Sequence, residues 1–443
     1  RCADVTGVQT CALPISSGML VTHAFIDTAN EEKAFTKWLP LLFTVLPLHT
    51  ALILYRYDSP SMCLAIFCSS LAFFVTYKKT TKLRMCFSGI LLFAVLALYQ
   101  PMIGTYMCIC CIFFAHSIIR EPFGKSINRG MQQIFSLIVG GILYIPVYVQ
   151  ARYASAYEFC GLPNHPYVFP NSKLLSHNIL QSTIQKLYVF TETADSYLGR
   201  DITSICIIFI ILLLLLSILK IALPLARKSI VLLSIIISFY TCGISCFVLH
   251  ETAIGTRILS PLCMFILCIL CLIICNYKSI YKLIVVISCV MIINSSSIIT
   301  SIGNAHRDQW LFEKMMILQP LTEDFSTLLQ KNGKFSYTIR NHVPDHYTMK
   351  KLKKNYSYVA STTTNFFMIT YFMSYLSITF DINAFIHDMN APSIESFPVI
   401  VQRLTYDICH DIDKNNYIVV LKNDYLPESV ISYESKAPLF FMK

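Results

Sequence analysis

Residues 203–219 read TSICIIFIILLLLLSIL, seventeen consecutive residues without a charge, closed by Lys220. As a helix rising 1.5 Å per residue this run is about 25 Å long, close to the hydrocarbon thickness of a bilayer. Working outward, eight further runs have the same character, and the nine lie near 38–55, 62–77, 85–99, 101–119, 131–150, 203–219, 229–249, 258–275 and 283–302. The composition agrees. Over 443 residues, 55% are hydrophobic and only 14% charged, with a mean hydropathy of +0.59. A soluble domain carries about a quarter charged residues, so composition excludes a cytosolic enzyme, a disordered chain and a secreted disulfide scaffold. The expected fold class is an all-α polytopic membrane protein of about nine transmembrane helices, followed by a small α+β extramembrane domain.

Lysine and arginine placement sets the expected orientation. One set of connectors holds Lys78, Lys79, Lys82 and Arg84; Arg120, Lys125 and Arg129; Lys220, Arg227 and Lys228; and Lys278 and Lys282. That is twelve cations against one anion, Glu121. The alternate connectors are balanced: Arg56 stands beside Asp58, Arg257 near Glu251, and 151–202 mixes both signs. The cationic set is therefore expected in the cytoplasm and the other set outside. This bias accounts for the net charge of +10, because residues 303–443 carry 14 cations and 14 anions. Nucleic acid is not a partner this charge requires.

The eighteen cysteines fall mostly inside apolar runs, as at Cys108, Cys110, Cys111, Cys263, Cys268, Cys271 and Cys275, where cysteine acts as a small hydrophobe. Cys268 and Cys271 have CxxC spacing but no second ligand pair. No cofactor and no metal-ligating residues are expected. The stretch from Val5 to Ile15 reads as a translated sequencing adapter, so residues 1–18 are expected to be a non-native leader and the natural start to be missing. The expected organisation is a transmembrane domain over 19–302, with a long outer loop at 151–202, and an extramembrane domain over 303–443. In the latter, 308–331 has helical periodicity, 334–340 and 416–422 read as strands, and 401–412 reads as an amphipathic helix. Residues 365–380 are uncharged and compete as a tenth span.

Four polar places interrupt this apolar chain on the outer side. Tyr55, Arg56, Tyr57 and Asp58 combine a carboxylate, a guanidinium and two rings. Such a set suits a sugar, the rings stacking on a pyranose face, although tyrosine and arginine also serve as helix-end anchors. Tyr99 and Gln100 precede Pro101, which breaks the amide ladder between the third and fourth runs and predicts a tight reversal. His250, Glu251 and Arg257 fall within eight residues; an arginine there is a natural ligand for a lipid-linked phosphate, or simply the partner of Glu251. The 151–202 loop, opening with Arg152 and Tyr153, is too long for a mere connector.

In order along the chain, Tyr55-Arg56-Tyr57-Asp58-Ser59-Pro60-Ser61-Met62, Leu98-Tyr99-Gln100-Pro101 and Gly255-Thr256-Arg257-Ile258-Leu259 resemble the type II Gtr glucosyltransferase family. That family is similar to the C-type integral-membrane glycosyltransferases, and the resemblance covers most of the chain. It implies an enzyme of the bacterial inner membrane, with its C-terminal domain in the periplasm. Such an enzyme takes a sugar from a polyprenyl-phosphate donor and places it on a cell-surface polysaccharide such as O-antigen. It further implies Asp58 and Glu251 as catalytic carboxylates. Tyr55, Arg56, Tyr57, Tyr99, Gln100, Arg152, Tyr153, His250 and Arg257 become the substrate-binding set. The chain departs from the pattern in one respect: the paired acidic residues usual in the first outer loop are absent. A lipid-linked sugar flippase, or another polytopic transporter, is the alternative. It would need polar residues at mid-membrane depth, and the runs from 203 to 302 are nearly uninterrupted Ile, Leu, Val and Cys.

Overall fold

A computed structural model describes residues 2–29, 38–46, 59–78, 81–153, 188, 190–191, 202–244, 260–277, 280–333, 335–340, 345–355, 383–384, 397–411 and 416–422. Two compact units divide the chain, Arg1–Ile299 and Thr300–Lys443.

The first unit is helical: α1 (Cys2–Ala29), α2 (Leu39–Val45), α3 (Ser59–Thr76), α4 (Lys82–Tyr99), α5 (Ile103–Arg120), α6 (Phe123–Tyr153), α7 (Ile202–Lys220), α8 (Leu225–Thr241), α9 (Pro261–Asn276) and the start of α10 (Tyr281–Phe312). Among the described residues three helical stretches, Lys82–Arg120, Phe123–Gln150 and Tyr281–Asn332, are long and apolar enough to cross a membrane. Pro60–Thr76, Ile205–Lys220 and Pro261–Asn276 are shorter apolar helices. Every apolar run read from the sequence meets a helix, but of the 38–55 run only Leu39–Val45 is described as one.

α1 has no counterpart among the nine runs. The leader reading of residues 1–18 sets most of it aside; its serines and threonines are accommodated by bonding back to their own helix. Ser17 Oγ donates to Leu13 O at 2.8 Å, and Thr28 Oγ1 donates to Ala24 O at 2.9 Å. Val21, Ala24 and Phe25 are fully buried. The helix passes unbroken through the 1–18 boundary drawn from the sequence, and Ser17 is buried with it.

Helix directions follow from cross-helix bonds. Ser88 Oγ of α4 donates to Ala72 O of α3 across their short connection, so these two run antiparallel. Ser69 of α3 bonds Met102 O just before α5, while Phe73 and Tyr77 face Phe113 further along, so α3 and α5 run the same way. The chain therefore reverses at the 3-10 turn Gln100–Met102, where Pro101 stands. Small residues permit the closest approaches, as in membrane helix pairs. A Cβ on Gly89 would lie 2.5 Å from Val139 Cγ1, one on Gly140 2.7 Å from Leu92 Cβ, and one on Gly104 2.5 Å from Thr241 O. These glycines let α4 pack on α6 and α5 pack on α8.

The second unit holds the rest of α10, a π-helical segment (Glu313–Leu318), α11 (Gln319–Asn332), α12 (Tyr347–Asn355) and five strands: β1 (Ser336–Arg340), β2 (Asn383–Ala384), β3 (Val399–Gln402), β4 (Tyr406–Asp411) and β5 (Asn416–Leu421). The sheet order is β2-β1-β5-β4-β3. β1 is parallel to β2 and β5, and β3-β4-β5 is antiparallel. Leu321, Phe325 and Leu328 of α11 bury against Tyr337, Ile339, Tyr406, Ile408 and Val419. The helix over 308–331 and both expected strands are present. The amphipathic helix expected at 401–412 is not: residues 406–411 form β4. Its buried positions suit a 3.6-residue stripe, but two flanking strands supply its backbone partners and the ladder wins. Residues 365–380 lie outside the described residues.

Candidate functional site

The helical unit has two chemically different ends. α9 touches both. At its start, Ser260 Oγ lies 3.3 Å from Met102 Sδ. At its finish, Arg120 bonds Cys275 O and Asn276 Oδ1. The Arg120 end is cationic and internally paired. Lys78 meets Asp27 at 2.9 Å, and Arg129 meets Glu121 at 3.1 Å and Ser117 Oγ at 2.9 Å. His116 lies near it, fully buried between Thr28 Oγ1 and Asn276 Nδ2, each at 3.1 Å.

The opposite end carries the candidate site. Its centre is Met102, directly after Gln100 and Pro101. The Met102 carbonyl accepts from Ser69 Oγ at 3.0 Å, and its thioether accepts from Ser260 Oγ and, at 3.9 Å, from Thr105 Oγ1. α3, the start of α5 and the start of α9 are thus tied at one point. Thr241 of α8 reaches the same end beside Gly104. Gln100 is exposed, and its Nε2 donates to Tyr144 Oη of α6 at 2.5 Å. Tyr148, a turn further along α6, meets Tyr144 with the rings tilted by 45° and their centroids 6.4 Å apart.

The sequence candidates divide as follows. Tyr99 closes α4 and Gln100 opens the turn. Arg152 and Tyr153 fall in the last turn of α6, which runs toward this end. Tyr55, Arg56, Tyr57, Asp58, His250, Glu251 and Arg257 lie outside the described residues. In sequence, Asp58 immediately precedes α3, and Arg257 precedes Ser260 by three residues. Among the described side chains of this unit, the end holds hydroxyl, amide, thioether and aromatic groups and no charge.

Four residues here escape a sequence reading. Tyr144 sits inside an apolar run, and the turn at Gln100 gives its hydroxyl a hydrogen-bond partner. Ser69 and Ser260 look like ordinary small polar residues of a span. Phe190, in the long loop, is fully buried with its ring 5.3 Å from Phe239 and 6.2 Å from Tyr240. It fills the space a Cβ on Gly243 would need. Part of that loop is therefore pinned at the end of α8. Among the described residues, no three His, Cys, Asp or Glu side chains gather as a metal site would.

Comparison with known proteins bears on this arrangement. A protein of Salmonella phage P22, described as an uncharacterized 55.3 kDa protein in the gtrB 5' region, is 22% identical over 199 residues. The alignment covers 43% of this chain and 40% of that protein, so the chain spans less than half of the relative's length. No solved structure matches. The Glucosyl transferase GtrII family matches residues 5–295, a range that includes both ends of the helical unit and stops where the second unit begins. The match covers more than half of the chain, which belongs to the Glucosyl transferase GtrII family.

Proposed function

We propose that this protein is a membrane glucosyltransferase. It moves a sugar from a polyprenyl-phosphate donor to a cell-surface polysaccharide such as O-antigen, at the outer face of a bacterial cytoplasmic membrane. Family membership over residues 5–295 is the observation that carries the reading. The tie at Met102 supports it, since it joins α3, α5 and α9 two residues after Gln100, and Arg257 precedes Ser260 by three residues in sequence. The nine-run topology, with the C-terminal domain outside, belongs to the same proposal and rests on the alternation of cationic and balanced connectors.

The chemistry follows from residue types. A carboxylate, Asp58 or Glu251, takes the proton from an acceptor hydroxyl as its oxygen attacks the anomeric carbon. The bond to the lipid phosphate breaks, and Arg257 with Arg56 or Arg152 stabilises the departing phosphate. Tyr55, Tyr57, Tyr99, Tyr153 and His250 supply rings and hydrogen-bonding groups to the sugar, and Gln100 holds its hydroxyls. The leaving phosphate carries its own charge, which lessens the need for a protein acid, and the outward-facing site needs no nucleotide-sugar pocket.

The test is direct. Membranes containing the protein are incubated with polyprenyl-phosphate glucose, labelled in the sugar, and acceptor polysaccharide. Label on the polysaccharide supports the reading. Label crossing sealed vesicles with none on polysaccharide overturns it in favour of a transporter.

A further inference from the structure

A cavity of about 310 Å³ opens on the flank of the helical unit between α5, α6 and α8. That size lies at the low end of ligand clefts, about 300–1,000 Å³. Tyr106 and Phe114 of α5 form its back, Ile134 and Met131 of α6 one wall, and Ile237 of α8 the other. Met131, Ile134 and Ile237 are 60, 52 and 45% exposed, so the mouth faces sideways, where a bilayer would lie.

Among the polar side chains that line this mostly apolar cavity, the Tyr106 and Ser234 hydroxyls are bonded to backbone carbonyls and the Gln133 amide is not. Gln133 is 3% exposed, and its Nε2 has no hydrogen-bond partner among the described residues. A buried amide without an acceptor is costly, and such groups call for a ligand or water. One turn toward the cationic end stands Arg129, and beyond it Lys125. At that end Arg227 of α8 lies over the Phe123 ring of α6 at 5.8 Å, bridging the two walls. Glu121 is engaged by Arg129 at 3.1 Å and approached by Lys125 at 4.0 Å. The segments 120–129 and 220–228 hold six cations against this single anion.

We infer that this cleft binds one anionic glycerophospholipid. Its phosphate sits among Arg227, Lys125 and Lys228, an ester carbonyl accepts from Gln133 Nε2, and an acyl chain lies along Ile134 and Ile237. Charge selects the anionic headgroup, because lysine and arginine side chains at a membrane surface attract anionic lipids. The site lies toward the opposite end from Gln100 and is separate from the transfer site. It rests on the membrane part of the proposed function and is independent of the glucosyl transfer.

The experiment uses the full chain, delipidated in detergent and examined by native mass spectrometry with phosphatidylglycerol or phosphatidylcholine. One phosphatidylglycerol is expected to be retained per chain, with about tenfold preference over phosphatidylcholine. Arg227→Glu is expected to abolish that preference, and Ser234→Trp, which fills the cavity, to abolish retention. Should Ser234→Trp fail to fold, Gln133→Met keeps the shape and removes the amide, lowering retention about tenfold. A phosphatidylglycerol with a photoreactive acyl chain is expected to label the peptide containing Met131 and Ile134. Equal retention of the two lipids, labelling elsewhere, or displacement of the label by polyprenyl phosphate overturns the inference. Membrane fractionation separates the two failures: a chain absent from membranes defeats the membrane reading itself.

Discussion

Ile208, Leu212 and Leu216 on α7 are exposed, at 60, 51 and 56%, whereas Tyr337, Ile408 and Val419 in the sheet are fully buried. The two units solve opposite solvent problems. In the helical unit polar groups turn inward or back onto their own helix, as Ser17 and Thr28 do, and apolar side chains face out. In the C-terminal unit the apolar side chains turn inward, and a mostly buried carboxylate ties the helix to the sheet edge. Asp324 of α11 accepts from Arg403 Nη2 at 2.5 Å, from Arg403 Nε at 3.0 Å and from Tyr406 Oη at 2.7 Å. The Arg403 guanidinium is raised above its ordinary value by those bonds to Asp324, and burial raises the Tyr406 phenol. The first unit turns many apolar side chains outward and the second gathers an apolar core inside, and the family match covers only the first.

The sharpest way to break this division is to ask which unit carries the transfer. Asp58→Asn or Arg257→Ala is expected to lower transfer by about 100–1,000-fold while leaving membrane insertion intact. Asp324→Ala is expected to change the rate per folded molecule by less than about twofold. A labelled-donor assay on matched amounts of membrane-inserted protein checks all three. A large loss from Asp324→Ala alone would move function into the second unit.

Next comes the outward face. Leu212→Lys places a charge in the middle of α7 and is expected to disfavour membrane insertion by about 3 kcal/mol on the translocon scale. Leu404, 61% exposed between β3 and β4, offers the control. Leu404→Lys is expected to shift stability by less than about 0.5 kcal/mol. Insertion measured by glycosylation mapping, and stability by thermal unfolding, distinguish them. Equal effects would mean that the two exposed leucines face the same solvent.

The inward network of the second unit comes third. Asp324→Ala removes an acceptor from the fully buried Tyr406 and from Arg403, whose partial exposure softens the loss. Together these are expected to cost about 2–3 kcal/mol, seen as faster amide exchange over 399–421. Tyr406 adds a pH arm. Its folded value lies above the unfolded one of about 10. The stability it contributes is therefore complete below that pH and is lost as pH rises toward the folded value. Alkaline unfolding above about pH 10 is expected to be weakened by Tyr406→Phe, and an unchanged profile would remove this group from the account.

Much of this was legible in the sequence because hydrocarbon leaves a coarse mark. Runs such as 203–219 and 258–275 have no home but a helix, and Pro101 announces its own turn. The sheet was half legible. Alternation and β-branched residues mark Asn416–Leu421, while Tyr406–Asp411 is a strand because β3 and β5 flank it, a fact outside its own residues. α1 is hidden because the leader reading of residues 1–18 sets aside most of it and leaves a remainder too short to read as a span. The candidate site shows the same limit. Gln100 stood out as a polar residue beside a proline, but Tyr144, Ser69 and Ser260 become meaningful only when α6, α3 and α9 arrive around the turn.

Gln100 provides the finest cut, since it either serves the turn or meets the substrate. Its amide donates to Tyr144 at an exposed site, so loss of that bond is expected to cost less than about 1 kcal/mol of stability. If the turn were its whole role, Gln100→Ala and Tyr144→Phe would lower transfer equally, and the double variant would lose no more than either. If Gln100 holds sugar hydroxyls, Gln100→Ala is expected to lower transfer about tenfold, the loss of one good hydrogen bond in the transition state. Tyr144→Phe keeps the ring and frees the amide, so it stays within about twofold. Steady-state transfer rates for the two single variants and the double, measured against donor concentration, decide between these outcomes. Equal losses would return Gln100 to the turn and leave the site to the charged connectors alone.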